Sequence, residues 1–587
     1  MKTIKLTLTA IIAIYYYTSF SQCLDSVPNV YSTYIGGEYG DRGCAIKVDK
    51  DGYIYIAGFT KSPYFPVTPG AFCTTHNGDY DGYVAKIDLQ TNKIVWATFL
   101  GGSGTEWLNG LAVDDEGNVY VAGNTSSGDF PFTTGAYDTT YNGIPNSTFH
   151  GDIFVTKLNK EGNGLIYSTY LGGNESEVGE GLAVDKEGCA YVYTGTSSSD
   201  YPVTAGSYDT TYNENGDLAI TKLSKNGDKL EYSFFLGGSS GEGGMLEIDS
   251  KGNLVIVGIT GSEDFPVTED AHYKNLIGDA DLFITIIEPA GKNLLYSTYL
   301  GGSNGENPYG IMLDDYDNLY ITGSTGSFDF PFMNQAFQKE KSDTIDAFAL
   351  KFNTNQKRVE YCTYIGGENL EKGSSISCTT DGKIVVGVHT TSTNFPFPDN
   401  AFDNSFNGYG NLERPWGGDF LISVFDSTLS ELLYSTYLGG SGDDFWPKIF
   451  IDNDDNLFIH GGSRSSNFPV TENAIDKTFN GEYDAVLIKF SLDDLMNYDP
   501  QATNVQVKKI DNTVKIYPNP AQNTLQIEYP ELSKKQTSYK IIDLSMKPLQ
   551  EGKLSGNIVD VSKIRTGIYL LNLDVDGEIL TYKFLIE

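Results

Sequence analysis

Hydrophobic and polar positions along this chain follow one scheme, written seven times. A short run alternates aromatic and hydroxyl residues, as in YSTYLGG from Tyr167, Tyr296 and Tyr434, and ends in two glycines. Looser copies are YSTYIGG from Tyr31, WATFLGG from Trp96, YSFFLGG from Tyr232 and YCTYIGG from Tyr361. The starts at 31, 96, 167, 232, 296, 361 and 434 keep a spacing that marks a stacked or radial repeat. Within the second copy, GLAVD, NVYVAGNT, DIFVTKLN and LIYSTYLGG have strand character between Gly, Asp and Asn turn signals. DDEGN and NKEGNG are short enough for hairpin turns.

Four antiparallel strands in each of seven units predict an all-β protein with a seven-bladed β-propeller. GLAVD, rich in small residues, suits the innermost strand, and YSTYLGG the outermost. The chain starts on an outer-type strand at Tyr31 and the last repeat, ending near Ser491, lacks one. The first strand is therefore expected to complete the last blade, which removes exposed sheet edges. An aromatic precedes proline in each long middle loop, at Phe65, Phe130, Tyr201, Phe265, Phe330, Phe395 and Phe468. Proline restricts the residue before it, so these rings read as wedges between blades.

The run YLGG, an acid, VDxxGNxYVxGxT and DFPVTxGAF resembles the bacterial SBBP-type β-propeller repeat over about residues 31–494. The resemblance implies a fold and no single activity. After it, 495–512 reads as a polar linker, and 513–587 alternates like a small β-sandwich. That tail resembles the C-terminal sorting domain of the type IX secretion system. The resemblance rests on Tyr517, Pro518, Asn519, Pro520, the IIDLS turn, Gly567, Ile568, Tyr569 and the closing TYKFLIE with Lys583. It implies the secretion machinery as a partner and passage across the outer membrane, then release or surface attachment. Residues 1–21 read as a secretory signal: Lys2 and Lys5, a largely apolar Leu6 to Tyr17, and a cut after Ser21. The protein is thus expected to reach the periplasm first and then the cell surface or medium.

Composition narrows the function. Aromatics at 13% and charged residues at 20% of 587 exclude a disordered chain. A formal charge of -37 argues against nucleic acid, whose phosphates need Lys and Arg. No later segment has the ~20 apolar residues of a membrane span, and a monomer is expected. The cysteines, Cys23, Cys44, Cys73, Cys189, Cys362 and Cys378, show no metal-ligand spacing; a Cys44–Cys73 bond is one pairing open to them.

Chemistry is sparse. The five histidines share no repeat position, and no GxSxG, P-loop or HExxH is present, so no catalytic residues are assigned and no cofactor is expected. A carboxylate stands four residues after each glycine pair: Asp41, Glu106, Glu177, Glu242, Glu306, Glu371 and Asp444. The plainer reading is that each caps backbone amides; the sharper one is a ring that holds a cation such as calcium. The turn aspartates Asp49, Asp114, Asp185, Asp249, Asp314 and Asp452 fit hairpin amides. Function is expected where the repeats disagree. The second and sixth are longest, the sixth carrying Arg414 and Trp416, and Trp107 and Trp446 follow glycine pairs. These four residues are the expected ligand-binding set, for a glycan or a protein. A secreted or surface binding module is the favoured reading; the alternative is an extracellular polysaccharide hydrolase or lyase.

Overall fold

The computed structural model describes residues 24, 27–143, 151–213, 215–331, 335–342, 345–398, 400–408 and 417–498. In the tail it describes 515–517, 523–528, 537–542, 548–554, 558–565, 567–575 and 578–586. Two compact units result, Met1–Tyr498 and Asp499–Glu587.

Local hairpins build the first unit. After β1 (Tyr31–Ile35) come β2 (Asp41–Val48), β3 (Ile54–Thr60), β4 (Asp81–Asp88) and β5 (Lys93–Leu100), which pair in chain order as one antiparallel sheet. Sheets spanning 106–171, 177–236, 242–300, 306–365 and 371–438 repeat this order. The seventh takes three strands from 444–491 and β1 as its fourth. β1 runs antiparallel to Asp484–Ser491, with Tyr31 opposite Lys489 and Ile35 opposite Ala485. Ser32 Oγ donates to Pro469 O at 2.6 Å and Tyr34 OH to Ser465 O at 2.6 Å, so both ends of the repeat region are tied together.

Apolar residues collect between sheets rather than in one central core. Seven clusters each join consecutive sheets, and one of them brings Ile35, Phe458 and Leu487 of the seventh against Ile46, Ile56 and Tyr83 of the first. β3 is buried at all seven positions because both of its faces are covered. The aromatics before proline enter these clusters: Phe65 stacks on Tyr83 at 4.3 Å, Phe130 on Phe154 at 4.2 Å and Phe265 on Phe283 at 4.4 Å. They are the wedges expected of them. A cavity of about 610 Å³ is lined by the first strands of all seven sheets, among them Ile46, Leu111, Leu182, Glu247, Ile376 and Ile449.

The second unit is a small sandwich. Lys515–Tyr517, Thr524–Glu528 and Ile558–Asp560 form one sheet; Pro548–Lys553, Thr537–Ile542, Gly567–Val575 and Glu578–Ile586 form the other. Leu525, Ile527, Ile541, Val559, Leu571 and Leu573 fill the space between. No helix of the described residues is long and apolar enough to cross a membrane.

Candidate functional site

The repeated carboxylates come first, because they frame the site. Glu106 is fully buried and accepts from the Gly102 amide at 2.9 Å, Thr125 Oγ1 at 2.7 Å and Ser127 Oγ at 2.5 Å. Glu306 repeats this with Gly302, Thr325 and Ser327, and Glu371 accepts from Gly367 and Thr390. In Glu177 and Glu242 the same donors return, and in Asp41 and Asp444 a shorter side chain meets them. Each acid therefore sits beneath the loop that precedes it, buried rather than facing the axial cavity.

Each also has a second carboxylate beside it, which sequence reasoning missed. A Cβ on Gly101 would lie 2.5 Å from both Asp81 Oδ1 and Glu106 Oε2; one on Gly172 would lie 2.5 Å from Asp152 Oδ1 and 2.7 Å from Glu177 Oε2. Gly237, Gly301, Gly439 and Gly36 stand likewise between Asp217 and Glu242, Asp281 and Glu306, Asp419 and Asp444, and Asp484 and Asp41. In six of the seven pairs the first glycine is thus required by two acids from adjoining sheets, and at Gly366 by Asp346. The second is required by the serine that caps: a Cβ on Gly102 would meet Ser127 Cβ at 2.6 Å. The signal was an aspartate opening every third strand, present in all seven repeats.

Burial, with the neighbouring acid adding to it, pushes Glu106, Glu242, Glu306 and Glu371 up to about 7. Burial likewise raises Glu177, Asp152, Asp444 and Asp484 to about 7 and Asp41 to about 6. Asp152, Asp217, Asp419, Asp444 and Asp484 each keep one buried Oδ1 without a hydrogen-bond partner. Protonation of one acid of a pair would supply the donor that oxygen lacks, because a protonated carboxyl is a donor. Among the described residues no group of three or more His, Cys, Asp or Glu side chains could hold a metal ion. The turn aspartates cap as expected; Asp49 accepts from Asp51 N at 3.0 Å and Tyr53 N at 2.9 Å. Cys73, Cys189, Cys362 and Cys378 are free thiols, so the Cys44–Cys73 bond left open by the sequence is not formed.

Immediately after each carboxylate the repeats disagree: Arg42, Trp107, Val178, Gly243, Asn307, Lys372 and Phe445. Here the first strands enter, at one end of the sheets. Arg42 lies with its guanidinium carbon 5.7 Å from the Phe59 ring, 5.9 Å from Phe445 and 6.0 Å from Trp446. Phe59 stacks on Trp107 at 5.2 Å and 13°. Lys372 Nζ is 5.7 Å from the Trp446 ring, whose edge meets Tyr309 at 5.2 Å. Trp107 and Trp446 are half-buried. Trp446 sits at φ +58° where the ladder skips between Phe445 and Lys448; Pro447, without an N–H, helps make that bulge.

Below this layer Lys448 Nζ donates to Ser374 O at 2.9 Å and Tyr309 O at 3.3 Å. Burial lowers Lys448 to about 8 and His389, at 6.2 Å from the Trp446 ring, to about 4. The structure thus brings Trp446 against an arginine that the sequence reading had not singled out, with Trp107 one ring further away, stacked on Phe59. Arg414 and Trp416 lie outside the described residues. Of the sorting residues, Tyr517 ends one strand and Gly567 opens another. Tyr569 OH donates to Arg565 O at 2.7 Å, and Lys583 lies opposite Leu570. Pro518, Asn519 and Pro520 lie outside the described residues.

A β-propeller repeat model (SBBP) matches 95–131 and 295–331, overlapping the second and fifth of the sheets described above. A secretion system C-terminal sorting domain matches 515–587. The chain is therefore a type IX secretion cargo, destined for the cell surface or the medium. No curated protein matches the chain. Among solved structures, it is similar to the polysaccharide lyase Uly1, at 9% identity over 77% of this chain and 90% of that one, TM-score 0.41. An ulvan lyase bound to a GlcA–Rha3S unit matches at 12% over 80% and 98%, TM-score 0.41. PorZ, a type-IX secretion surface component of Porphyromonas gingivalis, matches at 12% over 95% and 85%, TM-score 0.25. Likenesses this distant say nothing about ligand or activity.

Proposed function

We propose that this protein is an exported carbohydrate-binding module. In this reading the seven sheets are the blades of a closed propeller, residues 31–494, joined by a linker at 495–512 to the sorting domain at 513–587. The ligand site is the mouth formed by Arg42, Trp107 and Trp446, where the first strands enter. The observation that carries it is an aromatic cluster round one arginine, with Trp446 at the guanidinium and half-buried Trp107 stacked on Phe59 beside it, where the first strands differ between repeats. Aromatic faces bind the apolar faces of sugar rings, and flanking polar groups orient the hydroxyls.

The repeated acids are structural caps in this reading, since each accepts from amides or hydroxyls of its own repeat. Screening the purified protein on a glycan array tests the function. Binding that is lost in Trp107→Ala, with an unchanged melting temperature, is the expected outcome. An array with no bound glycan sinks the reading.

A further inference from the structure

The mouth carries a positive charge that the protein does not answer. Several basic side chains elsewhere in this acidic chain meet carboxylates. Lys157 and Lys222 stand 3.0 Å from Asp114 and Asp185, Lys61 stands 2.8 Å from Asp79, and Arg464 stands 3.6 Å from Asp443. Among the described residues no carboxylate pairs with Arg42, and its Nε is buried without a hydrogen-bond partner. The rings of Phe59, Phe445 and Trp446 hold its charge by their π faces but offer no acceptor to its N–H groups.

Further positive charge lies close by. Lys372 approaches the same Trp446 ring, and Lys448 donates to the carbonyl of Tyr309, whose ring meets Trp446, so sheets one, six and seven each contribute a cation. Arg42 and Lys372 together disfavour protonation of His389, and Arg42 does the same to Lys448, which places all four within one field.

We infer that the mouth takes an acidic sugar, a ring bearing a carboxylate or sulfate whose oxygens accept from the unused N–H groups of Arg42 while the sugar face lies on tryptophan. This rests on the carbohydrate reading above and adds the ligand's charge to it. The planar guanidinium matches the two oxygens of either group, which an ammonium cannot. A single acidic group is favoured over a run of phosphates, because nucleic acid needs many aligned cations and the remaining surface is negative. Screening limits that negative field to about 8 Å in physiological salt, so the local charge of the mouth decides.

The test measures affinity of the full chain for oligomers of polygalacturonate, dextran sulfate and uncharged dextran, at low and high salt. One acidic oligomer is expected to bind at least about tenfold more tightly than dextran, with salt weakening it. Binding only polygalacturonate assigns a carboxylate, and binding only dextran sulfate assigns a sulfate. Arg42→Lys keeps the charge and loses the fork, and is expected to lose most of the preference. Lys229→Gln, at an exposed hairpin turn at the far end of its sheet, is expected to leave the preference unchanged. Dextran bound as tightly as the acids, or Arg42→Lys with wild-type preference, overturns the inference. Neutral glycans alone on the array overturn it too, while leaving the carbohydrate reading intact; a blank array overturns both.

Discussion

Single residues explain why the glycine pair recurs. Two carboxylates from adjoining sheets crowd the first glycine in six of the seven pairs, and a capping serine crowds the second. The same pairs make stability depend on pH. Glu106, Glu177, Glu242, Glu306 and Glu371 are raised from an ordinary 4.5 to about 7 by burial, so the folded chain binds protons more tightly than the unfolded one. Their contribution is full below 4.5 and is lost as pH rises towards about 7. The melting temperature is expected to fall across that window, and less steeply in Glu106→Gln with Glu306→Gln, whose amides replace the bound proton. A flat wild-type profile would sink the bound-proton account. Calcium is expected to leave the melting temperature unchanged.

At the scale of elements, β1 and the aromatic wedges hold the repeats together. β1 covers the edge of Asp484–Ser491 and is fastened by Ser32, Thr33 and Tyr34 to the loop at 465–476. Deleting residues up to 37 uncovers that edge, and exposed edges pair with other chains. The truncated protein is expected to aggregate, which size-exclusion chromatography with light scattering detects; a soluble, equally stable product would refute the role given to β1. Phe130 is buried and lies 4.2 Å from Phe154 and 6.2 Å from Tyr170. Phe130→Ala is expected to cost about 3–5 kcal/mol of unfolding free energy, measured in denaturant.

For the whole molecule, the two units have separate cores. Removing 513–587 is expected to leave the first unit folded with its melting temperature unchanged. Fractionation of the producing cells should then find it in the periplasm rather than at the surface. Normal surface delivery of the truncated chain would show that the tail is not the address.

Much of this was legible in the chain because propeller repeats are local. Each sheet is three hairpins between neighbours in sequence, so strand number, strand order and the completing β1 followed from period and turn residues. The tail was legible for a similar reason, through motifs that lie close together. The acid pairs were half legible: both carboxylates recur at every period, but their meeting joins the third strand of one sheet to the first strand of the next, and spacing does not encode that contact. The mouth was least legible. Arg42 occurs in one repeat only, and it acquires meaning when Phe59 of its own sheet, with Trp107 from the second repeat stacked on it, and Trp446 from the seventh are brought to its surroundings. Periodicity reports what all repeats share, whereas a binding site is made from what they do not share, and only the tertiary structure sets those exceptions next to one another.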